Sequence, residues 1–193
     1  MALCPQQTAC LLLAAGRSER FGAEDKLLAP FEGRPLLHHA LLMLDSFAFG
    51  RKILVCRAPI PALPATEFEV VLTDRPSAPL SYSIRTGLQA LAPEGFSAVL
   101  IALADMPNVP AAHIQALLHR FDSGHPDCVI ASQAGGSRSP PALFATALLP
   151  RLMQLEGDKG ARDLLSKGEA VQTPPGILLD IDSPEDLRRH RPS

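Results

Sequence analysis

Short apolar runs alternate along the chain with longer stretches in which leucine and alanine recur every three or four positions. Residues 8–13, 52–56, 67–72, 98–103 and 127–132 are strand-sized, rich in Leu, Val or Ile, and set off by Gly, Pro, Asp or Ser. That pattern predicts strands buried on both faces. The run 98–103, Ala-Val-Leu-Ile-Ala-Leu, is the most apolar and is expected at the centre of a sheet.

Helical stretches lie between them. Pro35 suits the first position of a helix reaching about Phe47, and Leu36, Leu37, Leu41, Leu42 and Leu44 give it a wide apolar face. Ser81 is read as the N-cap of a helix over 81–91, and another helix starts near Pro110 and ends at Phe121. Residues 135–141 are read as a loop leading into a helix that ends about Leu155, followed by a short helix at 161–166. Late strands are expected near Val171 and over 177–181, ahead of the helix-start signature Ser183-Pro184-Glu185-Asp186. Strands alternating with helices imply an α/β fold: a single-domain, three-layer sandwich over 1–193 with a mainly parallel sheet. Such sheets bind ligands at the carboxyl ends of their strands.

At that place after the first run stands Leu11-Leu12-Leu13-Ala14-Ala15-Gly16-Arg17-Ser18-Glu19-Arg20-Phe21-Gly22-Ala23-Glu24-Asp25-Lys26. Small residues let a bulky ligand lie against outward-pointing backbone N–H groups, and the cations meet its charge, so the stretch has the composition of a phosphate grip. It is neither a Walker loop nor a dinucleotide fingerprint, since its glycines and lysine have the wrong spacing. It also lacks the closing glycine of a hydrolase elbow. An ordinary strand-to-helix turn with solvated arginines fits the local sequence equally well.

Asp74, Asp105 and Asp182 each follow an expected strand, which brings them to the same sheet edge as the grip. Asp105 either caps the turn after its strand or holds Mg²⁺, a hard cation that prefers carboxylate oxygen. Asp180 and Asp182 alternate along an extended segment at the end of the expected strand over 177–181, so their side chains would share a face and one could complete a metal site. Asp182 could equally serve only to cap the last helix. Lys159 and Arg162 are compatible with a solvated helix start.

Composition narrows the function classes. The 193 residues are 47% hydrophobic and 20% charged, a globular balance, with a net charge of −2. That charge argues against nucleic acid as a partner, and any cationic site must be local. No apolar run reaches the length of a membrane span, and the first residues lack the build of a signal peptide, so a cytoplasmic protein is expected. Cys4, Cys10, Cys56 and Cys128 form no metal-binding pair and read as free thiols. The histidines show no zinc spacing, His38 and His39 reading as helix surface plus a partly buried ring.

Further segments extend the pattern: Ser81-Tyr82-Ser83-Ile84 before Gly87-Leu88, Ala104-Asp105-Met106-Pro107, Pro141-Ala142-Leu143-Phe144, Gly157-Asp158-Lys159-Gly160-Ala161-Arg162 and Asp180-Ile181-Asp182-Ser183. In this order, with the grip, they resemble the MobA-like nucleotidyltransferase family, in particular its molybdenum cofactor cytidylyltransferase branch. The resemblance implies a Rossmann-like fold of the nucleotide-diphospho-sugar transferase type that binds a nucleoside triphosphate with Mg²⁺. It implies transfer of a nucleoside monophosphate to a phosphorylated acceptor with release of pyrophosphate, Arg20, Lys26 and Asp105 being catalytic.

By the same resemblance, Leu13, Ala14, Ala15 and Gly16 cradle the nucleotide, with Arg17, Arg20 and Lys26 on the triphosphate. Asp74, Ser81 and Ser83 lie near base and sugar, and Asp105 with Asp182 holds the metal. A molybdopterin-type acceptor approaches Arg138, Pro141, Lys159 and Arg162, and a molybdoenzyme is the implied client. Ala15 is typical of the CTP-using branch, whereas Asp74 is frequent in the GTP-using one. Pro79 and Ser139-Pro140 depart from the family pattern near the base and in the acceptor loop. Other small phosphates, a sugar phosphate or methylerythritol phosphate, are the alternative acceptors.

Overall fold

The computed structural model describes residues 3–16, 21, 25–75, 78–92, 95–157, 161–174 and 176–189. In chain order the elements begin with β1 (Thr8–Ala14), β2 (Pro30–Phe31), β3 (Arg34–Pro35), α1 (Leu36–Asp45), β4 (Arg51–Cys56) and β5 (Glu69–Leu72). Next come α2 (Leu80–Leu91), β6 (Ala98–Leu103), α3 (Ala111–Arg120), β7 (Val129–Ala134) and β8 (Ser137–Ala145). The chain closes with α4 (Leu149–Met153), α5 (Arg162–Lys167), β9 (Glu169–Gln172) and α6 (Pro184–Arg189). Seven strands form one sheet in the order β5-β4-β1-β6-β8-β7-β9, while β2 and β3 make a small separate hairpin. β1 runs parallel to β4 and β6, with Leu13 level with Val55 on one side and Leu103 on the other. β8 alone runs against its neighbours β6 and β7. As the apolar pattern requires, β6 sits fourth of the seven strands.

The alternation of side chains along β1 builds the layers. Cys10 and Leu12 join the cluster that includes Leu37, Leu41 and Leu44 of α1 and Ile114 and Leu117 of α3. Leu11 and Leu13 join Ile84 and Leu88 of α2, Leu152 of α4 and Leu165 of α5. The sheet is therefore covered on both faces, as expected for a three-layer sandwich. Gly87 sets how closely α2 approaches: a Cβ there would lie 2.2 Å from Leu11 Cδ1 and 2.9 Å from Val55 Cγ2.

Four local expectations are corrected. No strand forms over 177–181; the chain turns at Gly176 (φ +91°) and crosses the end of β6, joined to it by the Ile181 N–H to Asp105 carbonyl bond. Leu178, Leu179 and Ile181 bury themselves against the core without a ladder, so the same-face argument for Asp180 and Asp182 does not hold. Residues 135–141 are not a loop, because Gly135 (φ +54°) and Gly136 (φ +86°) turn β7 directly into β8. The helix expected to reach Leu155 is cut to α4, since 142–145 complete β8 and Thr146–Leu148 form a 3₁₀ turn.

Ser81 is not an N-cap either. Pro79 holds that position without a side-chain cap, and Ser81 is fully buried inside the first turn. The last helix does begin as its sequence indicates: the Asp186 N–H donates to Ser183 Oγ at 3.2 Å, and that hydroxyl donates to Asp186 Oδ2 at 2.7 Å. Among the described residues no helix is long and apolar enough to cross a membrane.

Candidate active site

Two backbone hydrogen bonds assemble the carboxyl edge of the sheet. The Ala104 N–H donates to the Leu13 carbonyl at 3.0 Å, fixing the turn after β6 beside the end of β1. The Ile181 N–H donates to the Asp105 carbonyl at 3.0 Å, which brings Asp182 alongside. Lys26 enters from the other side on a 3₁₀ turn (Lys26–Leu28) whose first free N–H, that of Leu27, is capped by Asp25 Oδ1 at 3.1 Å. Arg57, just past β4, pairs with the other oxygen of Asp25 at 3.0 Å and ties this turn to the sheet.

The three segments meet at one ammonium group. Lys26 Nζ lies 2.7 Å from Asp105 Oδ2 and 2.8 Å from Asp182 Oδ1. Burial alone would lower the lysine's pKa, but the two carboxylates outweigh it and raise the value, so Lys26 is a cation. Asp105 Oδ1 is buried and has no hydrogen-bond partner among the described residues. A buried carboxylate oxygen left without a donor is costly in a closed protein and usual at a ligand site.

Next to this cluster opens a cleft of about 880 Å³. Leu13, Leu80 and Ile84 line one side, and the hairpin from Gly136 to Pro140 overhangs another. Arg138 and Arg162 bring two guanidinium groups to its walls, and Asp180 reaches it from the segment after Gly176. Arg138 Nη1 also donates to the carbonyls of Leu165 and Ser166 at the end of α5, which anchors one side of its guanidinium group. Crowding by the surrounding chain, then the charges of Asp105 and Asp182, push the Asp180 carboxyl up to about 7 against the opposing pull of Lys26.

The structure thus brings Lys26, Asp105 and Asp182 into contact, and sets Leu13, Arg138 and Arg162 around one cleft. Ala14 and Ala15 are buried at the end of β1, and a Cβ on Gly16 would meet nothing within 4 Å. Ser81 and Ser83 are buried in α2, the Ser81 hydroxyl having no hydrogen-bond partner among the described residues. Asp74 accepts a hydrogen bond from Tyr82, whose ring lies 5.4 Å from the Arg75 guanidinium carbon and 5.5 Å from that of Arg85. Pro141 is buried behind the cleft wall. The expectations for Arg17, Arg20 and Lys159 lie outside the described residues.

Arg57 and Tyr82 were not singled out from the sequence. The rule that flagged Asp74, a polar residue just past a strand's carboxyl end, applies equally to Arg57 after β4.

Among the described residues no group of three or more His, Cys, Asp or Glu could hold a metal ion. The donors nevertheless suit a hard divalent cation, since Mg²⁺ is commonly held by one or two carboxylates plus substrate phosphates. Asp105, with its unpartnered Oδ1, and Asp182 are such a pair.

Residues 10–172 match the family model described as a MobA-like NTP transferase domain. The chain belongs to that family. It is a nucleotidyltransferase, and its fold is that of the nucleotide-diphospho-sugar transferases. It is 28% identical to the purine catabolism protein PucB of Bacillus subtilis, over 91% of this chain and 92% of that one. It is 26% identical to a probable molybdenum cofactor guanylyltransferase of Rhodopirellula baltica, over 92% of this chain and 88% of the other. Among solved structures, that of Rv0371C of Mycobacterium tuberculosis, described as a complex with manganese, superposes with a TM-score of 0.73 at 26% identity, covering 95% and 97% of the two chains.

Proposed function

We propose that this nucleotidyltransferase transfers CMP from CTP to the phosphate of a molybdopterin-type cofactor, in a Mg²⁺-dependent reaction carried by one domain over 1–193 in the cytoplasm. The observation that carries the reading is the buried Lys26 ammonium shared by Asp105 and Asp182 beside a cleft with two arginines. The preference for CTP rests on the resemblance at Ala15.

The chemistry needs little beyond position and charge. An oxygen of the acceptor phosphate attacks the α-phosphorus of the nucleotide. The bond from that phosphorus to the pyrophosphate oxygen breaks, and the electron pair leaves with pyrophosphate. Because the nucleophile is already an anion, no strong general base is required. Lys26 counters negative charge at the sheet edge, and its buried setting makes that charge more effective than in water. Arg138 and Arg162 suit the acceptor phosphate, guanidinium groups matching its oxygens in pairs. Asp105 and Asp182 would hold Mg²⁺, which when bound supplies neutralisation of the triphosphate. Arg17, Arg20 and Lys159 remain part of the proposed cationic set.

A second reading, GMP transfer to the same cofactor, is favoured by Asp74. A carboxylate accepts from paired N–H donors, which the guanine edge offers, while the cytosine edge presents one amino group followed by two acceptors. Purified protein with Mg²⁺, molybdenum cofactor and each nucleoside triphosphate in turn decides between them. Pyrophosphate release with CTP supports the first reading; release with GTP alone replaces it with the second. A non-catalytic factor delivering cofactor to a molybdoenzyme would keep full biological activity in Asp105→Ala, whereas the transferase would lose it.

A further inference from the structure

The hairpin overhanging the cleft is held by a buried polar chain that starts on the opposite layer. In the β7–β8 ladder Ala131 pairs with Ala142, but Ser132 pairs with Ser139, so Pro140 and Pro141 are two extra residues on β8. Neither proline has an N–H, so the ladder loses donors where the hairpin bends over the cleft. The Ser132 hydroxyl ties the bulge back to β7, giving its hydrogen to the Pro141 carbonyl at 2.6 Å. The ring of His113, on α3, reaches the same hydroxyl with Nε2 at 2.7 Å.

The roles follow from counting hydrogens. A hydroxyl has one, and a carbonyl can only accept, so Ser132 donates to Pro141 and His113 Nε2–H donates to Ser132. Ser132 is fully buried and His113 is 6% exposed, so water does not compete for either bond. Towards the core Pro141 lines a small apolar pocket with Leu44, Leu103 and Ile114, whose side chains offer its carbonyl no donor.

We propose that His113 and Ser132 are positioning residues for the acceptor side of the cleft. Through Pro141 they fix the angle at which Gly136, Ser137, Arg138 and Ser139 overhang it. This rests on the reading of the cleft as the site of a phosphorylated acceptor.

Four proteins test it: wild type, Ser132→Ala, His113→Leu and His113→Gln, the last of which keeps an N–H donor near the position of Nε2. Each is measured for amide exchange over residues 133–139 and for kcat and the KM values of nucleotide and molybdenum cofactor. Ser132→Ala and His113→Leu are expected to speed exchange at the hairpin tip and raise the cofactor KM about tenfold, with the nucleotide KM unchanged. His113→Gln is expected to restore both. Unchanged exchange in Ser132→Ala, failure of His113→Gln to rescue, or a rise in the nucleotide KM as large as that for cofactor overturns the proposal. Exchange needs no acceptor, so a wild type that transfers no nucleotide refutes the functional reading while the exchange result still decides the positioning claim. If His113→Leu does not fold, the smaller change Ser132→Ala decides alone.

Discussion

Lys26 Nζ lies 2.7 Å from Asp105 Oδ2, with only 7% of the lysine side chain and 19% of the aspartate exposed. Replacing the lysine by methionine leaves two neighbouring carboxylates without a counter-charge. Lys26→Met is expected to lower the transfer rate on the order of a hundredfold and to destabilise the fold by about 3 kcal/mol. Pyrophosphate release and urea unfolding measure the two separately.

A second buried lysine gives a contrasting case. Lys52, at the amino end of β4, donates to the Asp45 carbonyl at 2.8 Å, to Asp45 Oδ1 at 3.1 Å and to Glu67 Oε2 at 2.7 Å. It closes the end of α1, on the side of the sheet away from the site. Lys52→Ala should cost about 3 kcal/mol in unfolding by denaturant and leave kcat and both KM values unchanged.

The approach of α2 to the sheet is set by a missing side chain. Gly87→Ala places a methyl group 2.2 Å from Leu11 Cδ1 and 2.9 Å from Val55 Cγ2, too close for either neighbour to stay in place. The expected cost is about 1–3 kcal/mol, read as a lower Tm. Because Leu80 and Ile84 of the same helix line the cleft, the cofactor KM should rise as well.

Two histidines predict a pH dependence. Burial lowers the pKa of His113 from its ordinary value of 6.5, and burial together with the charges of His39 and Arg34 lowers that of His38. The unfolded chain then binds more protons than the folded one just below pH 6.5, so stability rises with pH there. The contribution is complete above 6.5 and is lost as pH falls through that value towards the folded pKa of each ring. Between pH 8 and pH 5 the wild type should lose stability at the acid end relative to the double variant His38→Gln with His113→Gln, read as the Tm difference between the two. The raised Asp180 carboxyl, which favours the fold as pH falls below about 7, is common to both proteins and cancels.

The sheet was readable from sequence wherever burial alone decides the pattern. β1, β4 and β6 are continuous apolar runs because both their faces are covered. β8 was hidden by Pro140-Pro141, which read as punctuation, although the sheet tolerates the pair as a bulge whose Pro141 carbonyl accepts from the Ser132 hydroxyl. The opposite error occurred over 177–181, where the apolar run mimics a strand but Leu178, Leu179 and Ile181 pack against the core without joining the ladder. In the site, Asp105 was visible from the edge rule because it follows β6, whereas Asp182 was reached through a strand that does not form. The ion pairs of Lys26 were not, since a lysine awaiting phosphate and a lysine holding two aspartates look identical in one dimension.

The separation of the partners of Lys26 has a further meaning for the timing of assembly. Asp105 lies 79 residues beyond the lysine and Asp182 lies 156 residues beyond it. Contacts so distant along the chain close late, after the local and nearest-strand pairings that build the sheet. A chain that has formed β9 but not yet laid down Asp182 can already pair β1 with β4 and β6, leaving Lys26 with one of its two carboxylates. The shared ammonium is therefore completed after the sheet around it, as the closing step of the edge it joins.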